Sequence, residues 1–322
     1  MSLIDSNARR PGDGPKIAIV HPSERAATRW AQEMRLRLPG ASVSVWPDAP
    51  EDVEYAVGWG PPEGFFERLR ALKAFFSLGA GVDHLHRNRG LPPSLPLVRL
   101  EDAGMGFQMA EYCCHEVIRH YRSLDAYGEQ QRAGQWQELR LTARADFGVG
   151  VLGLGVLGSR VARAVASFGY PVSGYTRSPR TLDGVTCFAG PTQLPEFLAR
   201  SKVLILMAPL TDDTRDLIDA ERLARLPRGA WLVNVARGEL VVDDALIAAI
   251  DAGHLAGATL DVFREEPLPP DHPFWRHPRI RMTPHIAAIT LLRESADQIA
   301  NKLARLHAGE RVGGLVDRAL GY

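Results

Sequence analysis

The sequence predicts an α/β protein built from two doubly wound parallel-sheet domains. Three observations carry that expectation. At 322 residues the chain is long for a single core and calls for two domains. Short, continuously apolar runs alternate with amphipathic stretches twice along its length, the pattern of strands buried on both faces and the helices that cover them. The second array opens with a glycine-rich turn, Gly153-Leu-Gly155-Val-Leu-Gly158, set between an apolar run and an amphipathic one.

In the first array, Lys16–Val20 reads as a strand and Ala26–Leu38 as a helix closed by Pro39-Gly40. Val43–Trp46 and Tyr55–Trp59 are strand-like, Phe65–Lys73 is helical, and Ala74–Leu78 and Leu97–Leu100 are strands. Gly104–Arg122 has helical spacing, and Asp125–Asp146 is a polar connection. The second array places strands at Phe147–Leu152, Pro171–Tyr175, Lys202–Met207, Ala230–Val235, Gly257–Asp261 and Arg279–Thr283. Helices fill its gaps at Ser159–Phe168, Ala220–Leu226 and Asp243–Ala252, and a last helix spans Thr290–Ala308. Six strands with intervening helices complete a doubly wound sheet.

Composition narrows the function classes. With 45% hydrophobic residues the chain has apolar material for sizeable cores, which excludes disorder. Lys+Arg and Asp+Glu both number 38, so no net field favours nucleic acid or an acidic membrane, and an anionic substrate must be held locally. Met1–Pro15 is polar and has no apolar core of a secretory signal, and the longest apolar run, Val203–Leu210, is too short to span a bilayer. Cys113, Cys114 and Cys187 form neither a disulfide framework nor a metal pattern, which fits the reducing cytoplasm. His84-Leu-His86 is the one close histidine pair, and no metal site is expected there.

The glycine turn has the context that gives such a motif meaning, a strand before it and a helix after it. Gly153 would make the tight turn, Gly155 would let backbone approach a pyrophosphate, and Gly158 would let helix pack on strand. The helix N-terminus supplies N–H donors and a partial positive charge. A carboxylate at the end of the next strand would bind the ribose 2′-hydroxyl of NAD. Here the strand ends Tyr175-Thr176-Arg177-Ser178, with a hydroxyl where the acid would stand and a guanidinium after it. That chemistry favours a 2′-phosphate, hence NADPH over NADH, with NADH still usable.

Three later strands end in Asn234-Val-Ala-Arg237-Gly238, Leu260-Asp261 running on to Glu266-Pro267, and Thr283-Pro284-His285. In an open parallel sheet, ligands bind beyond the carboxyl ends of the strands. Alone, each of Arg237, Glu266 and His285 reads as an ordinary surface or structural residue; their shared position reverses that. A guanidinium fork grips a carboxylate or polarises a carbonyl, and a histidine supported by a carboxylate donates a proton near neutral pH. This is equipment for reducing a 2-oxo acid.

GLGVLG at 153–158, NVARGEL at 234–240, LDVFREEPLP at 260–269 and TPHIAA at 283–288 together resemble the D-isomer-specific 2-hydroxyacid dehydrogenase family. Within it the chain is most similar to the glyoxylate/hydroxypyruvate reductases, through LGAGVDHL at 78–85, RLEDAGMGFQMAEY at 99–112 and the terminal VDRALGY at 316–322. The resemblance implies a flavodoxin-like substrate domain, residues 1–101 completed by 290–322, and a Rossmann coenzyme domain, 102–289, with a cleft between them. It implies that Arg237 binds substrate, that His285 is the acid/base with Glu266 as partner, and that Ala80, Gly81 and Val82 hold the substrate carboxylate. Trp46 matches an aromatic pocket position. Around the cofactor the resemblance places Leu154, Val156 and Leu157 of the loop, Thr176, Arg177 and Ser178 at the 2′-phosphate, and Pro209 and Thr214 after the fourth strand. Val235, Ala236, Asp261, His285 and Ala287 then flank the nicotinamide, and the helix at 104–122 with the arm at 125–145 forms a homodimer.

The expected activity is therefore NADPH-dependent reduction of glyoxylate or hydroxypyruvate. Other dehydrogenases of the same family are near alternatives, and a nucleotide-sensing binding protein on the same fold is an alternative of a different class.

Overall fold

The computed structural model of the chain describes residues 14–322. The polar stretch read at Met1–Pro15 falls outside them apart from Gly14 and Pro15. The chain divides into two compact units. One takes in the chain up to Ala103 together with Thr290–Tyr322, and the other is Gly104–Ile289.

The first unit is a five-stranded parallel sheet of β1 (Lys16–Val20), β2 (Ser42–Val45), β3 (Tyr55–Gly58), β4 (Ala74–Ser77) and β5 (Leu97–Val98), in the order β2-β1-β3-β4-β5. Its helices are α1 (Glu24–Arg37), α2 (Phe65–Arg68), α3 (Asp83–His86) and, from the chain's end, α10 (Leu292–His307). The Ser23 hydroxyl caps α1 by accepting the Ala26 N–H, and the helix buries Ala27, Trp30, Ala31 and Met34, one stripe at helical spacing. Arg37 ties α1 to α10 through Asp297 at 2.5 Å. The expected helix at 65–73 stops at Arg68, because the chain must turn back through the buried Leu69 to enter β4.

The second unit is a seven-stranded parallel sheet: β6 (Val149–Leu152), β7 (Val172–Thr176), β8 (Thr186–Ala189), β9 (Val203–Leu206), β10 (Ala230–Asn234), β11 (Leu255–Leu260) and β12 (Ile280–Met282). Their order is β12-β11-β10-β9-β6-β7-β8. The expected sheet had six strands. The seventh, β8, lies at an edge and is only partly buried, so it lacks the continuous apolar run that marks a central strand. Helices α4 (Met105–Tyr121), α5 (Leu124–Arg132), α6 (Val156–Ser167), α7 (Leu194–Ala199), α8 (Ala220–Arg225) and α9 (Asp243–Asp251) complete the unit. α5 occupies part of the stretch read as a polar connection; it buries no residue, so its sequence carries no apolar stripe.

Both faces of this sheet are covered. Leu204, Leu206, Leu232, Phe197 and Ile250 share one core, and Val149, Val151, Val161, Ile205 and Val233 share the other. Successive residues of β9 alternate between the two cores, as strand geometry requires. The strand order reverses at β6, so a crevice lies beyond the carboxyl ends of β6 and β9.

Candidate active site

β6 ends at Leu152, and the glycine loop carries the chain into α6. Gly153 has φ 103°, and a Cβ there would lie 2.6 Å from the Ala208 nitrogen. A Cβ on Gly158 would lie 1.9 Å from the Gly153 carbonyl oxygen. The fold itself therefore requires both glycines. Gly155 differs: its φ of −64° and ψ of −163° suit any residue, and a Cβ there would meet nothing within 4 Å. The protein has no use of its own for a glycine at 155, whereas a pyrophosphate lying on the loop does. No side chain caps α6, so its first-turn N–H groups face the same space. The loop thus fits a dinucleotide. The Leu154 side chain is fully buried and packs where a Cβ on Gly174 would stand, so Leu154 offers the ligand only backbone, while Val156 is 46% exposed.

The loop after β7 lies beside the glycine turn. The Thr176 hydroxyl donates to the Ser178 carbonyl at 2.7 Å, tightening the turn, and Arg177 and Ser178 are exposed. Arg180, which the sequence did not single out, donates to the Leu154 carbonyl and brings a second guanidinium to the glycine turn. The signal was present, since Arg180 closes the same Thr176–Arg180 stretch as Arg177, but its reach across to residue 154 is a tertiary fact. After β9, the Thr214 hydroxyl donates to the Pro209 carbonyl at 2.7 Å and accepts the Thr211 N–H at 2.8 Å, which brings the two expected positions together.

Arg237, Glu266 and His285 follow the ends of β10, β11 and β12. Asn234 shapes the turn after β10, accepting the Ala236 N–H at 3.1 Å and donating to the Arg237 carbonyl at 2.8 Å. Val235 and Ala236 are buried there, and the Arg237 guanidinium reaches back to the Ala236 carbonyl at 2.6 Å. His285 Nδ1 lies 2.7 Å from Glu266 Oε2, and Glu266 Oε1 accepts the Phe263 N–H at 2.9 Å. Burial pushes the Glu266 carboxyl up, but the hydrogen bonds from His285 and Phe263 and the charges of His285 and Arg237 outweigh it and hold it below the usual range. The imidazole is 46% exposed, so its ring stays open to a ligand.

His285 sits at φ 55°, a strained conformation for a residue with a side chain. Asp261 holds it there. Its carbonyl accepts the His285 N–H, its Oδ1 the Ile286 N–H and its Oδ2 the Ala287 N–H, each at 2.8 Å. Both carboxylate oxygens of this buried Asp261 are thus engaged by the histidine loop.

The remaining expected residues belong to the first unit. Trp46 packs edge-on against Phe65 with ring centres 5.0 Å apart, and the Arg68 guanidinium lies over it at 5.0 Å. Ala80 and Gly81 lead through the buried Val82 into α3.

The strand order and the glycine loop define a Rossmann-type, dinucleotide-binding α/β protein. Residues 114–287, more than half of the chain, match the model of the D-isomer specific 2-hydroxyacid dehydrogenase NAD binding domain. A D-isomer specific 2-hydroxyacid dehydrogenase from Xanthobacter autotrophicus Py2, solved with NADPH and MES, is 42% identical; the match covers 96% of this chain and 100% of that one, with a TM-score of 0.91. An NADPH-dependent glyoxylate/hydroxypyruvate reductase from Sinorhizobium meliloti, solved with NADP and sulfate, is 33% identical over 96% of this chain and 100% of that one, with a TM-score of 0.88. A probable 2-hydroxyacid dehydrogenase from Rhizobium etli CFN 42, solved with NADP, HEPES and L(+)-tartaric acid, is 30% identical over 96% and 99%, with a TM-score of 0.87. The chain belongs to the D-isomer specific 2-hydroxyacid dehydrogenase family.

Proposed function

We propose that the protein is an NADPH-dependent reductase of small 2-oxo acids, converting glyoxylate to glycolate and hydroxypyruvate to D-glycerate. The observation that carries this reading is the 2.7 Å His285–Glu266 pair, set at the strand ends of a sheet whose glycine loop fits a dinucleotide. NADPH, when bound, supplies the hydride that reaches the carbonyl carbon. The residues of the chain do the rest. Gly153–Gly158 and the first turn of α6 hold the pyrophosphate, and Thr176, Arg177 and Ser178, joined by Arg180, take the 2′-phosphate. Pro209, Thr214, Val235, Ala236, Asp261 and Ala287 line the path to the nicotinamide.

Arg237 grips the substrate carboxylate and carbonyl through its planar fork, and the substrate-binding residues of the first unit are Trp46, Ala80, Gly81 and Val82. Because Glu266 engages Nδ1, it is His285 Nε2 that hands a proton to the developing alkoxide, and the ionised Glu266 stabilises the imidazolium before transfer. The reaction consumes one hydride and one proton for each carbonyl reduced.

The exposed α5 and the arm after it support a homodimer. The measurement that tests the reading is turnover of a panel of 2-oxo acids with NADPH and with NADH, followed by nicotinamide absorbance. Reduction of glyoxylate or hydroxypyruvate, faster with NADPH, is expected. Nucleotide binding without turnover of any 2-oxo acid would favour a nucleotide-sensing protein.

A further inference from the structure

Helix α4 carries three polar side chains at helical spacing, Gln108, Tyr112 and Glu116, on a helix that otherwise buries Met105, Ala110, Cys113 and Val117. Each reaches the β11–β12 end of the sheet. The Glu116 carboxylate accepts the Thr259 hydroxyl of β11 at 2.5 Å. The Tyr112 phenol lies 2.6 Å from Thr283 Oγ1, and the Thr283 hydroxyl donates onward to Asp261 Oδ1 at 2.6 Å. A hydroxyl has one proton to give, so Tyr112 is the donor to Thr283. Gln108 makes a two-way amide bridge, donating to the Ile289 carbonyl at 3.0 Å and accepting the Ile289 N–H at 3.2 Å.

Segment 283–289 is therefore held at its start by Tyr112, at its end by Gln108, and in its middle by Asp261. At its centre is His285, in a left-handed conformation that the loop must enforce. Burial raises the Tyr112 phenol above its ordinary range, so it keeps its proton and stays a donor throughout neutral pH.

We propose that Gln108 and Tyr112 are positioning residues for His285: α4 pins both ends of segment 283–289 and so sets the aim of the imidazole. The proposal rests on the proton-transfer role given to His285 above. Tyr112→Phe and Gln108→Met remove only hydrogen bonds and keep the apolar volume. Each should lower kcat for glyoxylate about tenfold, since small misplacements of a reacting group are costly. The KM for NADPH should stay within about twofold, because neither residue touches the glycine loop. Thr283→Val also loses the bond to Asp261, so it should lower kcat at least as far as Tyr112→Phe; the double variant should be no worse than Thr283→Val alone, and Thr283→Ser, which keeps the hydroxyl, should hold the wild-type kcat. Wild-type kcat in both Tyr112→Phe and Gln108→Met overturns the proposal. So does a fall in kcat that comes with an equal rise in the NADPH KM, or a Thr283→Ser variant that loses as much kcat as Thr283→Val.

If the wild type reduces no 2-oxo acid, the proposed function fails and the positioning is read directly by amide exchange. Faster exchange at Ile286 and Ala287 in Tyr112→Phe, with β10 amides unchanged, supports the pin; unchanged exchange at those two amides overturns it.

Discussion

In the proposed reduction, Glu266 supports the proton donor His285 through the bond at Nδ1. Its carboxyl is held low enough to stay ionised across the working range, so it acts on His285 as a fixed negative charge. Glu266→Gln keeps the shape but removes the charge, and should lower kcat for glyoxylate while leaving NADPH affinity unchanged. A kcat equal to the wild type's would remove Glu266 from the mechanism, whereas His285→Ala should lose about 10²–10⁴-fold in kcat. Two of the three glycines of the phosphate loop separate fold from ligand. Gly158→Ala forces a methyl against the Gly153 carbonyl and should cost about 1–3 kcal/mol of stability, read by urea unfolding. Gly155→Ala meets nothing in the protein, so its unfolding midpoint should match the wild type while NADPH binds roughly tenfold or more weakly by titration. Thr176→Asp combined with Arg177→Ala should turn the preference toward NADH, with roughly a ten- to hundredfold loss in kcat/KM for NADPH, the worth of a charge-assisted contact.

At the scale of the element, α4 does more than cover a sheet. Its inner polar stripe ends in His120, whose ring lies 5.3 Å from that of Trp231 and 5.8 Å from that of Phe147. Burial, assisted by the charge of Lys202, pushes the His120 imidazole down to about 4. An unfolded histidine takes up a proton near pH 6.5, whereas the folded one resists until about pH 4, so stability is full above the first value and lost as pH falls toward the second. The loss should reach roughly 2–3 kcal/mol at the acid end. His120→Phe fills the same aromatic slot without titrating. Urea unfolding of both proteins near neutral pH and near pH 4.5 should show the wild type losing more on acidification; equal losses would mean that His120 does not stay neutral in the fold.

At the scale of the whole molecule, the segment from α5 into its following arm has apolar side chains and no core of its own. α5 buries no residue, Trp136 is fully exposed and Leu141 is 51% exposed. Apolar surface of this kind supports the proposed homodimer. Sedimentation should report a homodimer, and Trp136→Ser with Leu141→Ser should raise the monomer fraction on dilution without altering the unfolding midpoint of the monomer. A wild type that sediments as a monomer at all concentrations would remove the arm from any dimer.

The two-sheet α/β class, the position of the phosphate loop and the places of Arg237, Glu266 and His285 beyond strand ends are legible in the sequence. Their signals are local: apolar runs such as Val203–Leu206, a glycine spacing, a residue type at a strand end. The edge strand β8 and the helix α5 are not legible, because an element with little buried surface writes no apolar period into its residues. Nor is the division of labour among the glycines, since only the packed neighbours show that Gly153 and Gly158 serve the fold while Gly155 is left open. The Arg180–Leu154 bond, the three Asp261 bonds that hold His285 at φ 55°, and the reach of Gln108 and Tyr112 to segment 283–289 join residues 24 to 181 positions apart. A hydrogen bond across such a distance leaves no periodic trace in the chain. It exists only once the sheet has brought its strand ends to one edge, and there the tertiary structure decides which polar residues become a site.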